Sequence, residues 1–280
     1  MPSTDPSGTT MSTTPPRLRL DANLKWLFTE VPFEARFEAA AAAGFTAVEF
    51  PSPYGHRPEE LAKLLADAGL RSVLINTPAG DPGGSDAYGI ACHPGRGADF
   101  RAQVEQALRY ATKLGTGVIH VMGGLRPPGV GSAEALGTYV TNLAWAAEYA
   151  ADTNVTLLIE VLNQRDAPGF VLECLETAAA VVSAIGSERL RLLFDLYHCQ
   201  VSQGDVTTRL HELMPIIGHV QIADPPTRTE PGTGELGWDH LFGRLRAEGY
   251  TGWVGCEYAP TTDTMSSLRW RHTFGRHLAG

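Results

Sequence analysis

Glu160, Asp195, Gln221 and Glu257 are the residues of this 280-residue chain whose types and spacing could do chemistry. Each closes or lies within a short apolar run of β-forming residues, where a polar side chain needs a reason. The steps between them are 35, 26 and 36 residues, each about one strand-plus-helix unit. Four successive units of a parallel array would therefore present an oxygen ligand at similar height. Three carboxylates facing one another repel strongly unless a cation stands between them. An all-oxygen set favours Mg²⁺ or Mn²⁺ over Zn²⁺, so a divalent metal is expected here. One acid at a strand end is as often a helix cap or an ion-pair partner; the succession of four predicts the site.

Other residues gather near these ends. His198 follows Asp195 by three positions in Asp-Leu-Tyr-His and can lean over the same mouth. Arg228 lies in Ala-Asp-Pro-Pro-Thr-Arg-Thr-Glu-Pro-Gly, and its planar fork suits a carboxylate or a pair of hydroxyls. Asn76 and Arg126 are further substrate-binding candidates, with Lys25 beside them. His120 could line the mouth or sit in the wall. Glu49 is expected to form a salt bridge, and Trp26 and Phe28 to wall a pocket or fill the core.

The elements that must position these residues alternate regularly. Candidate strands cover 18–23, 47–50, 71–76, 117–122, 155–161, 190–195, 218–223 and 252–257. Helical segments are expected at 32–43, 58–68, 98–114, 132–152, 171–186, 202–213, 238–248 and 264–278. Gly44, Gly69, Gly115, Gly186 and Gly249 stand where helices should end, and Pro32 and Pro58 where they should begin. Eight β-then-α units predict a single (β/α)₈ TIM barrel over 17–280. An open, doubly wound sheet would carry a Gly-rich loop after its first strand, and Asp21-Ala22-Asn23-Leu24-Lys25 has no glycine. The long loop 77–97, rich in Gly and Pro, is a lid candidate.

Composition narrows the function classes. With 31 acidic against 22 basic residues, the net charge of −9 argues against a nucleic-acid binder with a broad basic face. No apolar run reaches the length of a membrane span, so no membrane partner is expected. Cys92, Cys174, Cys199 and Cys256 lie far apart and read as reduced, buried thiols. Residues 1–16, almost all Ser, Thr, Pro, Gly and Asp, read as a disordered tail without a signal-peptide centre, consistent with cytoplasmic residence.

The chain resembles the hydroxypyruvate isomerase family, within the xylose-isomerase-like group of TIM barrels that also holds the ketose 3-epimerases. The resemblance covers about 18–272 and rests on specific stretches. Among them are Ala22-Asn23-Leu24, Ala47-Val48-Glu49-Phe50, Pro78-Ala79-Gly80-Asp81, Ile159-Glu160-Val161-Leu162-Asn163 and Asp195-Leu196-Tyr197-His198. Most specific are His219-Val220-Gln221-Ile222-Ala223-Asp224, Glu230-Pro231-Gly232-Thr233-Gly234-Glu235 and Gly252-Trp253-Val254-Gly255-Cys256-Glu257-Tyr258. It implies that Glu160 and Glu257 are an acid/base pair and also metal ligands. Asp195 and Gln221 complete the shell, and His198 and Arg228 touch substrate. The 3-epimerases carry histidine at the position of Gln221. Asn76 stands in Ile75-Asn76-Thr77-Pro78, where the isomerases show His-Asn-Leu-Pro, and Met122-Gly123-Gly124-Leu125-Arg126 replaces a Gly-Lys turn; the 2-oxo-tetronate isomerase branch tolerates both departures, so the substrate stays open between hydroxypyruvate and a 2-oxo-tetronate.

The expected function is a metal-dependent isomerisation of a small hydroxy-oxo acid, such as hydroxypyruvate to tartronate semialdehyde, through an enediolate. No organic cofactor is expected, because no electrons leave the substrate. A homo-oligomer, dimer or tetramer, is expected. The rival readings are a ketose 3-epimerase using the same two glutamates, a nuclease of the endonuclease IV type, and a non-catalytic sugar-acid binding protein. The nuclease chemistry wants many histidines, and only His120, His198 and His219 lie near late strand ends.

Overall fold

The structure, a computed structural model, describes residues 15–81 and 83–279. All its strands are parallel: β1 (Arg19–Asn23), β2 (Ala47–Glu49), β3 (Arg71–Ser72), β4 (Leu74–Asn76), β5 (Val118–His120), β6 (Thr156–Glu160), β7 (Leu190–Asp195), β8 (Ile217–Ile222) and β9 (Trp253–Cys256). Their order, β3-β2-β1-β9-β8-β7-β6-β5-β4, is a ring cut at one residue. That residue is Val73. Its N–H donates to Val48 O at 2.9 Å and its carbonyl accepts from Val118 N at 3.4 Å, so β3 and β4 are two halves of one barrel strand. Eight barrel strands result, in agreement with the (β/α)₈ reading.

Helices follow the strands: α1 (Arg36–Ala42), α2 (Pro58–Ala68), α3 (Gly97–Leu114), α4 (Ser132–Tyr149), α5 (Leu175–Ile185), α6 (Leu196–Ser202), α7 (Val206–Leu213), α8 (Trp238–Ala247), and the single turns α9 (Thr264–Ser267) and α10 (Trp270–Thr273). Gly69 and Gly115 end α2 and α3 in the left-handed conformation that glycine adopts without a Cβ penalty.

Three helical expectations change. The helix expected at 202–213 starts only at Val206, as α7; an additional helix, α6, springs directly from Asp195, and Gly204 and Asp205, both at positive φ, break the chain between them. The segment 264–278 is only the two turns α9 and α10, because the chain must come back to pair Leu278 with Leu18. The segment 171–186 starts late, at Leu175, since Val171 N–H is held by Gly124 O. Of the expected tail 1–16, residues 1–14 lie outside the described residues. Pro15 and Pro16 are held, their carbonyls accepting from Arg246 at 2.7 and 3.1 Å.

Side chains alternate between the two faces of a strand, and this period of two sorts the barrel. Leu20, Val48, Ile75, Ile119, Leu157, Ile159, Phe194, Val220 and Val254 face outwards into the main core against the helices. Ala47, Val73, Leu74, Leu158 and Leu193 form a separate apolar plug inside the barrel. Two residues further along six strands, the inward positions turn polar: Glu49, Asn76, His120, Glu160, Asp195 and Gln221. Asn23 on β1 and Glu257, just past β9, complete that layer.

The register of one strand pair decides whether Gln221 joins it. Leu192 pairs with Ile217 but Leu193 pairs with His219, so Gly218 is an extra residue in β8. Without that bulge a one-residue slip would turn His219 and Gln221 outwards. Gly218 has no room for a side chain: a Cβ would lie 2.7 Å from Leu158 Cδ2 and 3.0 Å from Arg191 Cβ.

Candidate active site at the barrel mouth

The polar layer opens into a cavity of about 490 Å³ at the C-terminal ends of the strands. Glu160, Gln221, Glu257, His198, Arg228 and Asn76 all line it. Asp195 is buried behind that lining, beside Gln221 in register and with Oδ2 3.6 Å from Arg228 Nη2.

Asp195 has two jobs for two oxygens. Oδ1 caps α6, accepting from Tyr197 N at 2.7 Å and His198 N at 3.4 Å. Oδ2 is buried with no hydrogen-bond partner, Arg228 Nη2 being 3.6 Å away, and Oε1 of Glu160 likewise has none. Burial, only partly offset by Arg228 and reinforced by the charge on Glu257, pushes the Asp195 carboxyl up to about 7. Burial, with the charges of Glu257 and Asp195, also raises Glu160 well above the usual carboxylate range. Its other oxygen lies 3.4 Å from His120 Nδ1. Burial pushes His120 down to about 4, so that ring is neutral and Glu160 gains no full positive partner.

Glu257 stands two strands from Asp195 and three from Glu160 around the ring. Its Oε2 accepts from Arg228 Nη2 at 2.5 Å and its Oε1 from Asn23 Nδ2 at 3.3 Å. Arg228 is thus a cation set among three carboxylates, and its guanidinium packs over Trp26 and Tyr197 with centroid distances of 4.9 and 5.0 Å. Arg228 itself has φ +58°, a conformation its loop fixes by the Asp224–Thr229 bridge and by the 2.8 Å bond from Ala259 N to Arg228 O. Asp224 anchors that loop through Gly232 N, Gly234 N, Leu236 N and Trp238 Nε1, all within 3.1 Å.

His198 is neutral, driven well below its ordinary value by burial and by Arg228. Its Nδ1 accepts from the backbone N–H of Asn163 at 3.1 Å, which can only donate. The other ring nitrogen, Nε2, lies 3.2 Å from Arg228 Nη1, which also can only donate, and 3.8 Å from Oδ2 of Asp195. Gln221 donates from Nε2 to Glu49 Oε1 at 2.7 Å, which leaves its amide oxygen as the atom available to a ligand.

The donor set fits a divalent cation. Ligand atoms of Glu160, Asp195 and His198 lie within 4.8 Å of one another, and two of the carboxylate oxygens there are orphaned. A buried carboxylate oxygen without a partner is costly, and a cation relieves that cost.

Arg126 is the expected residue that the structure does not bring to the mouth. Its guanidinium bonds Ser132 Oγ at the start of α4, its N–H bonds Gly169 O at 2.8 Å, and it lines a separate cleft with His93 and Arg96. The turn after β5 carries it away from the axis. The loop 77–97 is only half a lid candidate. Ile90, Ala91 and Cys92 are buried, with Ala91 O and Cys92 N bonded to Asn142 Nδ2 and Gly123 O, while Tyr88 lines the cavity and donates to Asp166 O.

Sequence reasoning missed several residues here. Asn23 reaches both Glu49 and Glu257, and its place at the end of the first strand was the available signal. Asp166, bound to Tyr197 Oη at 2.7 Å and Asn163 Nδ2 at 3.0 Å, lies in a loop whose sequence gives no such signal. Glu49 forms no bridge to Lys or Arg among the described residues; it sits inside the barrel on His219 Nε2 at 2.8 Å.

Comparison with known proteins follows the same lines. A family model described as "Xylose isomerase-like TIM barrel" matches residues 37–273. A 2-oxo-tetronate isomerase of Cupriavidus necator is 44% identical, over 90% of this chain and 96% of its own. A hydroxypyruvate isomerase of Escherichia coli is also 44% identical, over 90% and 98%. Among solved structures, one titled AP endonuclease, family 2, from Brucella melitensis superposes with a TM-score of 0.88 at 38% identity, covering 92% of this chain and 99% of the other. An L-ribulose 3-epimerase superposes with a TM-score of 0.76 at 22% identity, covering 94% of each chain, a likeness of fold.

Proposed function

Since the chain belongs to the xylose isomerase-like TIM barrel family, among relatives named as hydroxypyruvate and 2-oxo-tetronate isomerases, we propose that it is an isomerase of small hydroxy-oxo acids. One observation carries the reading: Glu160 and Glu257 project into one cavity from strands three steps apart in the eight-strand ring. That placement suits proton transfer at two adjacent carbons. One carboxylate removes the proton from the hydroxyl-bearing carbon next to the carbonyl, giving a planar enediolate. The other delivers a proton to the former carbonyl carbon, while the hydroxyl proton passes to the neighbouring oxygen. Atoms balance and no electrons leave the substrate, so the reaction calls for no organic redox cofactor.

Burial and the charges of Glu257 and Asp195 raise Glu160 well above the usual carboxylate range, which makes it a stronger base than an exposed glutamate. Arg228 is placed to hold a carboxylate or hydroxyl oxygen, with His198 beside it and Asn76 at the opposite wall. Glu160, Asp195, Gln221 and Glu257 would hold Mg²⁺ or Mn²⁺. When bound, the ion supplies positive charge where the substrate oxygens become negative. The cavity volume of about 490 Å³ accommodates a short acid and leaves room for a free ketose, which is the 3-epimerase alternative.

The nuclease reading loses support at the histidines. His219 faces Glu49 inside the barrel, and Nδ1 of His198 is committed to Asn163.

The decisive experiment is an NMR screen in D₂O with Mg²⁺ or Mn²⁺. It offers hydroxypyruvate, tartronate semialdehyde, 2-oxo-tetronates and free ketoses. Deuterium entering a hydroxy-oxo acid as it isomerises supports the proposal. Exchange confined to C3 of a ketose moves the assignment to epimerisation, and no exchange into any ligand would leave a binding protein.

A further inference from the structure

We infer that Glu49, on the strand opposite the late acidic residues, is a positioning residue that decides which atom of Gln221 and which face of Asn23 the site presents. This rests on the reading of Gln221 as a metal ligand. Glu49 is fully buried inside the barrel, at the end of β2. Its Oε1 accepts from Gln221 Nε2 at 2.7 Å and Asn23 Nδ2 at 2.8 Å, and its Oε2 accepts from His219 Nε2 at 2.8 Å. An ionised carboxylate accepts and never donates. Both amides must therefore turn their NH₂ groups down to it and their oxygens away.

For Gln221 this exposes the one atom that can bind a cation. For Asn23 it sets Oδ1 against Lys25 N at 3.0 Å and leaves Nδ2 also within 3.3 Å of Glu257 Oε1. One buried carboxylate thus reaches a ligand directly and the catalytic Glu257 through one intermediary. The barrel makes room for it: a Cβ at Gly255 would lie 2.7 Å from both Glu49 oxygens. A side chain there would displace the carboxylate, so β9 carries glycine where it crosses this level.

The Glu49→Gln variant of the full chain tests the inference, after circular dichroism shows a folded barrel. Its carboxamide keeps one acceptor oxygen and puts a donor in place of the other, so Gln221, Asn23 and His219 can no longer all donate to it. Mn²⁺ alone is titrated calorimetrically, without substrate. The expected loss of affinity is about 10–100-fold, the usual effect of removing a group that orients a ligand. Glu49→Gln combined with Gln221→Glu reverses the polarity of the bond and should recover at least about tenfold. Gln221→Glu alone sets two carboxylates face to face and should bind more weakly than the double variant.

Wild-type affinity in Glu49→Gln, or a single Gln221→Glu that binds as tightly as the double variant, overturns the proposal. A second readout stands apart from the ion. With ¹⁵N-glutamine labelling, the Gln221 side-chain amide is assigned by its loss in Gln221→Glu. It should be protected from exchange in the wild type, and should shift and lose protection in Glu49→Gln. If the wild type binds no Mn²⁺, the metal reading fails by itself. An unchanged amide signal overturns the positioning role whatever the ion does. If Glu49→Gln does not fold, Gly255→Ala, which crowds the same carboxylate, must move the same signal.

Discussion

Two glutamates and one arginine carry most of what can be tested residue by residue. Glu160→Gln and Glu257→Gln keep size and an oxygen but cannot take a proton at neutral pH. Each should still bind substrate while turnover falls at least ~10²-fold, the lower bound for losing a general base. With one base gone, solvent deuterium should enter one isomer and not the other, which NMR reads directly. Near-wild-type turnover in both variants would refute the two-glutamate scheme. Arg228→Lys keeps the charge but loses the planar fork stacked over Trp26 and Tyr197. A drop in kcat/KM of roughly tenfold or more is expected, since a charge-assisted hydrogen bond contributes about 1.5–3 kcal/mol. Arg126→Ala is the contrast: its side chain lines another cleft, so steady-state kinetics should stay within about twofold of wild type. Equal losses in the two arginine variants would mean that the loop after β5 folds over the mouth during turnover.

Among elements, the bulge at Gly218 is the device that joins fold to site. Gly218→Val should cost about 1–3 kcal/mol through overpacking against Leu158 and Arg191, read as a lower urea midpoint. Mn²⁺ affinity should fall with it, because Gln221 shares the displaced strand; an unchanged urea midpoint would show that the bulge relaxes freely. No sequence signal announced this bulge. Strand positions and the polar strand ends were legible because apolar residues repeat with period two and because Glu160, Asp195 and Glu257 interrupt apolar runs. Glu49 interrupts one equally, yet its partners, Asn23 of β1 and His219 and Gln221 of β8, are set by ring closure and not by local pattern. The break between α6 and α7 was hidden for a different reason. Asp195 starts a helix with its own side chain as cap, so the helical pattern begins inside what reads as strand end. Gly204-Asp205 then looks like a helix interior flaw and is in fact the boundary.

For the whole molecule, the site is a region where stability is given up, and ionisation measures by how much. Asp195 is raised from 3.8 to about 7, and Glu160 and Asp21 are raised in the same direction, burial being the largest cause for each. A carboxyl with a raised folded pKa holds its proton more tightly in the folded chain. Below about pH 4 the unfolded chain is protonated as well, and the contribution is fully present. Between about pH 4 and 7 the unfolded chain releases the proton while the folded one keeps it, so stability falls as pH rises. Above 7 Asp195 is ionised in both states and adds no further slope. Lowered carboxyls such as Glu176, held at about 2 by Arg209 and Gln203, lose their contribution only at more acid pH, whereas His120 and His198, kept neutral by burial, add stability as pH rises towards 6.5. The Asp195 contribution is therefore read against Asp195→Asn: in chelator, the wild type should lose stability relative to that variant from pH 5 to 7. A divalent cation binds the deprotonated carboxylates and stabilises only the folded chain. The gap between melting curves with Mn²⁺ and with chelator should widen from pH 5 to 7 and level off above it. In Asp195→Asn the gap should narrow, because a ligand and a titrating group vanish together. Scanning calorimetry at half-unit steps measures both curves, and a gap that ignores pH would put the ion somewhere other than on Glu160, Asp195, Gln221 and Glu257.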